Sequence, residues 1–243
     1  DFIHPDDRRN FIETLDQLKN TGAQLFIECR FQCRTKGYRW LSCSLADYSD
    51  ERLCYIVARD VTDRVMAEQK LAHDACHDPL TGLYNRAEFM KRLNYALAYA
   101  ARQPRYGFAL LYLDLDRFKI INDTLGHNIG DELLREVSRH LLNAVRKVDI
   151  VARLGGDEFV ILLMDITIPE EAERVAQNIH SLLTPPVILQ SNAIKISASI
   201  GIALSTIKYQ DAAAMLHDAD TAMYAAKSNG KSQYVLFYPG VHG

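Results

Sequence analysis

The feature of the sequence that most constrains its fold is a short apolar run that ends in acidic residues. Residues 108–115 read FALLYLDL, and Asp116 follows directly. A run of this length with so few polar residues predicts a strand that is buried on both faces. Such a strand needs helices packed against it, so the run indicates an α/β domain.

The sequence around this run alternates between helical and strand patterns. Apolar residues recur every four positions from Leu133 to Val145 and predict an amphipathic helix over 131–146. Similar patterns predict helices over 85–101, 169–183 and 211–228, and strands near 150–154, 159–163, 187–190, 194–204 and 233–237. We therefore expect an α/β (α+β) domain with flanking helices on a mixed central sheet.

The N-terminal part of the chain has a different pattern. A helix is predicted over 6–20, followed by alternating strands near 24–34, 38–47 and 53–59. The next sixteen residues lack Gly and Pro and are rich in helix formers, which predicts a helical linker. The expected organisation is a β-rich segment over 1–61, a linker over 62–77 and the α/β domain over 78–238.

Composition and charge narrow the class of protein. A net charge of −3 does not suit broad nucleic-acid binding, which normally requires a basic balance. The odd number of cysteines, without metal-ligand spacing, predicts buried free thiols in a reducing compartment (Cys29, Cys33, Cys43, Cys54 and Cys76). Since no run of about 18 apolar residues occurs, we expect a soluble, cytoplasmic fragment without membrane contact. A membrane anchor elsewhere in a longer protein is compatible with this expectation.

Two clusters of acidic residues point to a cation site. Asp114 and Asp116 end the buried strand, and ionised carboxylates are costly to bury unless they are paired or bind a metal. Gly155-Gly156 allow a tight turn that presents Asp157-Glu158 at the tip of a hairpin. Each cluster alone also fits a strand or turn that emerges into solvent. Together they favour one shared site for a hard cation such as Mg²⁺.

Two further polar residues suit recognition of a guanine base. Asn122 both donates and accepts hydrogen bonds, whereas Asp131 only accepts them. Guanine presents N1–H and N2–H₂ donors and an O6 acceptor along one edge, which this pair matches. Helix capping or turn formation is the alternative role for both residues.

These segments together resemble the GGDEF family of diguanylate cyclases. The resemblance covers about two thirds of the chain, in order and with the family's spacing. Its motifs are DPLTGLYNR at 78–86, DLDRFKIIND at 114–123, GHNIGD at 126–131, RLGGDEF at 153–159 and AKSNGK at 226–231. The resemblance implies a palm-like nucleotide-cyclase fold and a reaction that joins two GTP molecules into cyclic di-GMP with release of two pyrophosphates.

The resemblance also implies a role for each matching residue. Asp114, the backbone carbonyl of Leu115 and Asp157 would hold Mg²⁺ or Mn²⁺. Glu158 would support this site or bind a second metal ion. Asp157 and Glu158 would be the catalytic acids, and the identity of the general base stays open. The residues that would bind GTP are Phe118, Lys119, Asn122, Asp131, Gly155, Gly156, Lys227 and Lys231.

Two regulatory features follow from the same resemblance. Each domain would bind one GTP, so catalysis would require a C₂ homodimer. Arg146 and Asp149 match the family's RxxD site, where the product cyclic di-GMP would bind and inhibit.

The N-terminal segment resembles the C-terminal part of a PAS sensor domain. The matching residues are HPDDR at 4–8, YRWL at 38–41 and ARDVTDR at 58–64. This implies upstream control of the cyclase by a PAS-type signal. The alternatives are a catalytically silent module that binds GTP or cyclic di-GMP and regulates a partner or a downstream phosphodiesterase domain, and a cyclase with another nucleotide preference.

Overall fold

A computed structural model describes residues 2–34, 37–48, 53–103 and 105–240. The chain divides into two compact units, Asp1–His73 and Asp74–Gly243, and each has its own hydrophobic core. Within the described ranges, none of the helices combines the length and the hydropathy that a membrane span requires.

The first unit is an antiparallel sheet with one helix packed against it. Helix α1 (Pro5–Thr21) precedes strands β1 (Leu25–Cys33), β2 (Gly37–Tyr48) and β3 (Leu53–Asp60). The strands pair in the order β1-β2-β3. Phe11 and Leu18 of α1 pack on the sheet face that carries Ile27, Cys29 and Cys43. This arrangement is the helix followed by strands that the N-terminal pattern predicted.

The cysteines of the first unit and the linker are free thiols, as predicted. Cys29 and Cys43 are buried, and burial raises the pKa of Cys29 to about 12. A thiol with such a pKa stays protonated and unreactive at neutral pH. The expectation of burial is wrong for Cys54, which is exposed on the edge strand β3.

Helix α2 (Thr62–Cys76) coincides with the predicted linker. Val65 is its buried residue, whereas Met66 and Leu71 are exposed. The division between the two compact units falls within this helix, after His73.

A five-stranded mixed sheet forms the centre of the second unit. Its strands are β4 (Phe108–Leu115), β5 (Ile150–Gly155), β6 (Glu158–Met164), β9 (Ala198–Leu204) and β10 (Tyr234–Leu236), and a small hairpin consists of β7 (Val187–Leu189) and β8 (Asn192–Ile194). The sheet order is β10-β9-β4-β6-β5. Only the β9–β10 pair among these described strands is parallel. Every residue of β4 is buried, which confirms the strand predicted from the apolar run.

Helices cover both faces of this sheet. They are α3 (Arg86–Ala100), α4 (Phe118–Leu125), α5 (His127–Ala144), α6 (Pro169–Leu183) and α7 (Ala212–Ser228). Successive side chains of a strand point to opposite faces. Accordingly, Leu111 and Leu113 of β4 join the core formed with α5 and α6. Leu110 and Tyr112 join the core formed with α3 and α7.

Three details differ from the sequence expectations. Helix α4 was not predicted, because the polar residues between 118 and 125 concealed its short apolar face. Helix α5 begins at His127 rather than near 131, so Asp131 lies inside a helix. The predicted strand 194–204 is two strands, β8 and β9, which belong to different sheets.

Close packing fixes the position of α7 on the sheet. Gly201 of β9 faces this helix, and a Cβ at that position would lie 2.0 Å from the carbonyl oxygen of Ala219. Only glycine permits this approach of strand and helix backbones. The contact matters for the site described next, because the last turn of α7 carries Lys227.

Candidate functional site

The two predicted acidic clusters lie together in the structure. Asp114, near the end of β4, lies directly opposite Glu158 at the start of β6. The Leu115 N–H donates to the carbonyl of Asp157 at 3.3 Å. The turn that carries Asp157 is possible because Gly156 has a φ of 52°, in the left-handed region that favours glycine.

The environment of Asp114 is unfavourable for a negative charge. Its side chain is largely buried and forms an ion pair with Lys227, with Nζ 2.7 Å from Oδ2. Burial raises the pKa of Asp114, and the nearby charges of Asp157 and Glu158 raise it further, against the opposing effect of Lys227. One lysine therefore does not offset the burial and the neighbouring negative charge, and an added cation would stabilise the carboxylate.

The acidic side chains at this site are few in number for a metal ion. Across the described residues, no group of three or more His, Cys, Asp or Glu side chains is close enough to hold a metal ion by itself. A metal ion bound by these side chains would therefore need further ligands. This requirement suits Mg²⁺, which is typically bound by one or two carboxylates and keeps water or substrate phosphate oxygens as its other ligands.

The second acid of the strand end has a different role. Asp116 is buried and accepts hydrogen bonds from the hydroxyl groups of Ser197 and Ser199, at 2.6 and 2.8 Å. The backbone N–H of Ser232 also donates to it at 3.0 Å. Asp116 thus ties the end of β4 to β9 and to the loop before β10, so its carboxylate is already satisfied. The apolar run alone does not distinguish the two acids, whereas the family resemblance implied a metal ligand only for Asp114.

The two residues predicted to recognise guanine lie on α4 and α5, which meet at Gly126. The buried Oδ1 of Asn122 has no hydrogen-bond partner among the described residues. Gly130 permits this position, because a Cβ there would lie 1.8 Å from the same oxygen. A buried acceptor without a partner is costly, so Asn122 is suited to a ligand that donates.

The predicted phosphate-binding residues come from three separate segments. Phe118 and Lys119 form the first turn of α4, Lys227 lies in the last turn of α7, and Lys231 follows in the loop before β10. Lys119 and Lys231 are exposed, whereas Lys227 is half-buried beside Asp114. Lys227 is thus the lysine of this set that forms an ion pair with an acid of the site.

One structural link beside the site was not predicted from the sequence. Arg153 donates to both carboxylate oxygens of Asp78, at 3.0 and 3.1 Å, and to the carbonyl of Gly156, at 2.9 and 2.7 Å. It therefore holds the Gly-Gly turn against the segment that precedes α3. Both residues belong to the motifs at 78–86 and 153–159, which was the available signal.

Arg146 and Asp149 form a compact pair in the segment between α5 and β5. The carboxylate of Asp149 accepts from the backbone N–H of Arg146 at 2.8 Å and from that of Met164 at 3.0 Å. The Arg146 guanidinium contacts Asp149 and the carbonyl of Met164. Its side chain is 56% exposed against 1% for Asp149, so Arg146 is the member of the pair that a ligand can reach.

The central strand and the Gly-Gly turn of this mixed sheet present acids, and helices contribute lysines. This fold and site define a nucleotide-cyclase-like α/β domain. The family model "Diguanylate cyclase, GGDEF domain" matches residues 75–233, and the chain belongs to this family. Residues 1–58 match the model of the PAS fold. Both resemblances found in the sequence are thereby confirmed. Diguanylate cyclases of this family generally need a divalent metal ion.

Individual relatives agree with this assignment. The chain is 45% identical to the diguanylate cyclase TpbB of Pseudomonas aeruginosa over 162 residues, which are 66% of this chain and 37% of that protein. The crystal structure of the TpbB GGDEF domain has a TM-score of 0.63 and 42% identity, over 65% of this chain and 98% of that one. The coiled-coil and GGDEF domain of DgcB from Caulobacter crescentus, in complex with c-di-GMP, has a TM-score of 0.66 and 26% identity, over 72% and 92% of the two chains. The chain thus spans well under two thirds of the curated relative's length.

Proposed function

We propose that this chain condenses two GTP molecules into cyclic di-GMP and releases two pyrophosphates. The observation that carries the proposal is the convergence of Asp114, Asp157 and Glu158 at neighbouring strand ends, with Lys227 as a counter-ion. In each half-reaction the ribose 3′ oxygen of one GTP bonds to the α-phosphorus of the other. The bond from that phosphorus to the bridging oxygen breaks, its electron pair leaves with pyrophosphate, and the hydroxyl proton passes to a base or to water.

Asp114, Asp157 and the carbonyl of Leu115 would hold Mg²⁺ or Mn²⁺, with Glu158 in support or at a second metal ion. A bound divalent cation supplies Lewis acidity to the 3′ hydroxyl and the leaving phosphates. Asp157 is the preferred candidate to help remove the hydroxyl proton. The raised pKa of Asp114 supports the proposed metal site, because a cation bound there would offset the crowding of negative charge.

Asn122 and Asp131 would select guanine. The unpartnered Oδ1 of Asn122 would accept from a donor on the base, and the carboxylate of Asp131 would accept from another. A nucleotide whose base presents acceptors at these positions would leave the buried oxygen unsatisfied, so it would bind more weakly.

Lys119, Lys227 and Lys231 would bind the phosphates together with the backbone of Phe118. Fixed positive charge at these positions stabilises the negative charge that develops on the leaving group. Gly155 and Gly156 would leave room for GTP at the turn, because neither has other atoms within 4 Å of an added Cβ.

Two such domains would face each other in a C₂ homodimer, since the two attacks that close the ring are related by symmetry. The PAS unit would change cyclase activity by altering the geometry of this dimer through α2. In that proposal residues 1–61 are the sensor, 62–77 the signalling linker and 78–238 the cyclase. The proposed location of the protein is the cytoplasm, where GTP is available.

The product would inhibit by binding at Arg146, with Asp149 as the residue that orients it. A guanidinium held in this way can form paired hydrogen bonds with a guanine edge or a phosphate. Arg174 and Glu171 line the same surface pocket as this pair. Arg146→Ala should abolish inhibition by added cyclic di-GMP. Arg139→Ala, which removes an exposed arginine of α5, should leave that inhibition intact.

The experiment that tests the function is incubation of the purified chain with GTP and Mg²⁺, with separation of the products by chromatography. Wild type should form cyclic di-GMP, and Asp157→Ala should not. Lys208→Ala is a matched control on the exposed surface. Absence of product from wild type, at high protein concentration and after removal of bound nucleotide, would contradict the proposal and favour a silent regulatory module.

A further inference from the structure

A cleft of the second unit lies beside the proposed nucleotide site and shares one residue with it. It has a volume of about 570 Å³, a size typical of small-ligand sites. Its walls come from the start of α4, the end of α6, the segment before β9 and the loop before β10. None of the residues proposed to bind metal or guanine lines it. Lys231 is the proposed phosphate-binding residue that both sites share.

The charge of the cleft suits an anion. Arg117, Lys195 and Lys231 line it, and Asp116 is the acid that opposes them. Because Asp116 already accepts three hydrogen bonds from the protein, its oxygens are occupied. The formal charge of the lining is +2 with His180 neutral. Apolar side chains such as Leu183 form the wall beside these cations.

His180 forms part of the wall of the cleft. Its buried Nε2 has no hydrogen-bond partner in the described part of the chain. Burial lowers the pKa of His180 against the opposing effects of Asp116 and Gln233, so the imidazole is neutral at pH 7. A neutral imidazole has one donor and one acceptor nitrogen, so His180 adds a polar group but no charge to the wall.

We propose that this cleft is a second phosphoryl-anion site, which receives the pyrophosphate released by the condensation before it reaches solvent. The proposal rests on the proposed cyclase function. Arg117 directly precedes Phe118, and Lys231 lies in both sites, so a pyrophosphate can move from one site to the other while it keeps a lysine contact. The alternative occupant of the cleft is the triphosphate of bound GTP, and the experiment below distinguishes it from released pyrophosphate.

The test measures pyrophosphate binding by calorimetry, with the whole chain, free of nucleotide and of divalent metal. Lys195→Ala removes a cation of the cleft that has no part in the proposed nucleotide site. It should weaken pyrophosphate binding about fivefold, the effect of one solvent-exposed ionic contact. Lys208→Ala should bind like wild type. Because binding is measured without turnover, a chain without cyclase activity would still show this difference.

The same variants are then assayed for turnover. Lys195→Ala should raise the pyrophosphate concentration needed for half-inhibition by a similar factor and leave KM for GTP unchanged. Unchanged pyrophosphate affinity in Lys195→Ala would overturn the proposal. An equal loss for GTP would also overturn it, because the cleft would then hold the tail of the bound nucleotide. If Lys195→Ala loses pyrophosphate affinity but wild type forms no cyclic di-GMP, the anion site is supported and the cyclase function is refuted.

Discussion

Arg153 offers the sharpest test of how the structure holds the Gly155-Gly156 turn. Its guanidinium contacts Asp78 on one side and the carbonyl of Gly156 on the other. The change Arg153→Met keeps much of the side-chain length and removes all of these hydrogen bonds. It should both destabilise the second unit and release the turn that carries Asp157.

The expected size of the effect follows from burial. Loss of one partner from a buried ion pair costs about 3–5 kcal/mol, and the side chains of Arg153 and Asp78 are 11% and 17% exposed. We therefore expect the low end of that range, about 3 kcal/mol. In a unit of this size, this corresponds to a fall in Tm of roughly 6–12 °C. The coupling with Asp78→Asn should be about 1–2 kcal/mol.

The assay is urea unfolding of wild type, the two single variants and the double variant. Arg139→Met is the matched control, because Arg139 pairs with Glu136 on an exposed face and should cost less than about 1 kcal/mol. The reasoning would be refuted if the two single effects added to within about 0.5 kcal/mol. It would also fail if Arg153→Met were as stable as the control. Steady-state turnover of the folded variant should show a reduced kcat.

Three other perturbations have defined outcomes. Mg²⁺ should raise the Tm of wild type and have no such effect on Asp114→Asn, and an equal rise in both would place the metal elsewhere. Gly130→Ala should stay folded, since alanine favours helices. The added methyl group should displace Asn122 and raise KM for GTP about tenfold. An unchanged KM would contradict the role of Asn122 in base recognition. Burial alone would raise the pKa of Asp78, but hydrogen bonds from Thr81 and Arg153 outweigh it and lower the pKa below its ordinary value of 3.8. Its stabilising effect is therefore complete above pH 3.8 and lost as the pH falls below that value, so Asp78→Asn should show a shallower loss of stability on acidification than wild type.

Several parts of the fold could be predicted because they depend on local patterns. The buried strand β4 follows from an unbroken apolar run, and most helices follow from a periodic apolar face. Helix α4 was missed because it has only eight residues, too few to establish a period among its polar positions. The strand predicted over 194–204 was too long, because an apolar pattern does not reveal where a chain leaves one sheet for another.

For the site, the sequence by itself determined which acids, lysines and glycines were available, since the spacing of five motifs identified the family. It also determined the Gly-Gly turn, because the left-handed φ of Gly156 is a local property of the backbone. Only the tertiary structure decided that Asp114 faces Glu158 and Lys227, whereas Asp116 is held by Ser197 and Ser199. The two acids are two residues apart in the same sequence context. Their roles differ because segments more than 80 residues away supply hydroxyl donors to one of them and a neighbouring lysine to the other.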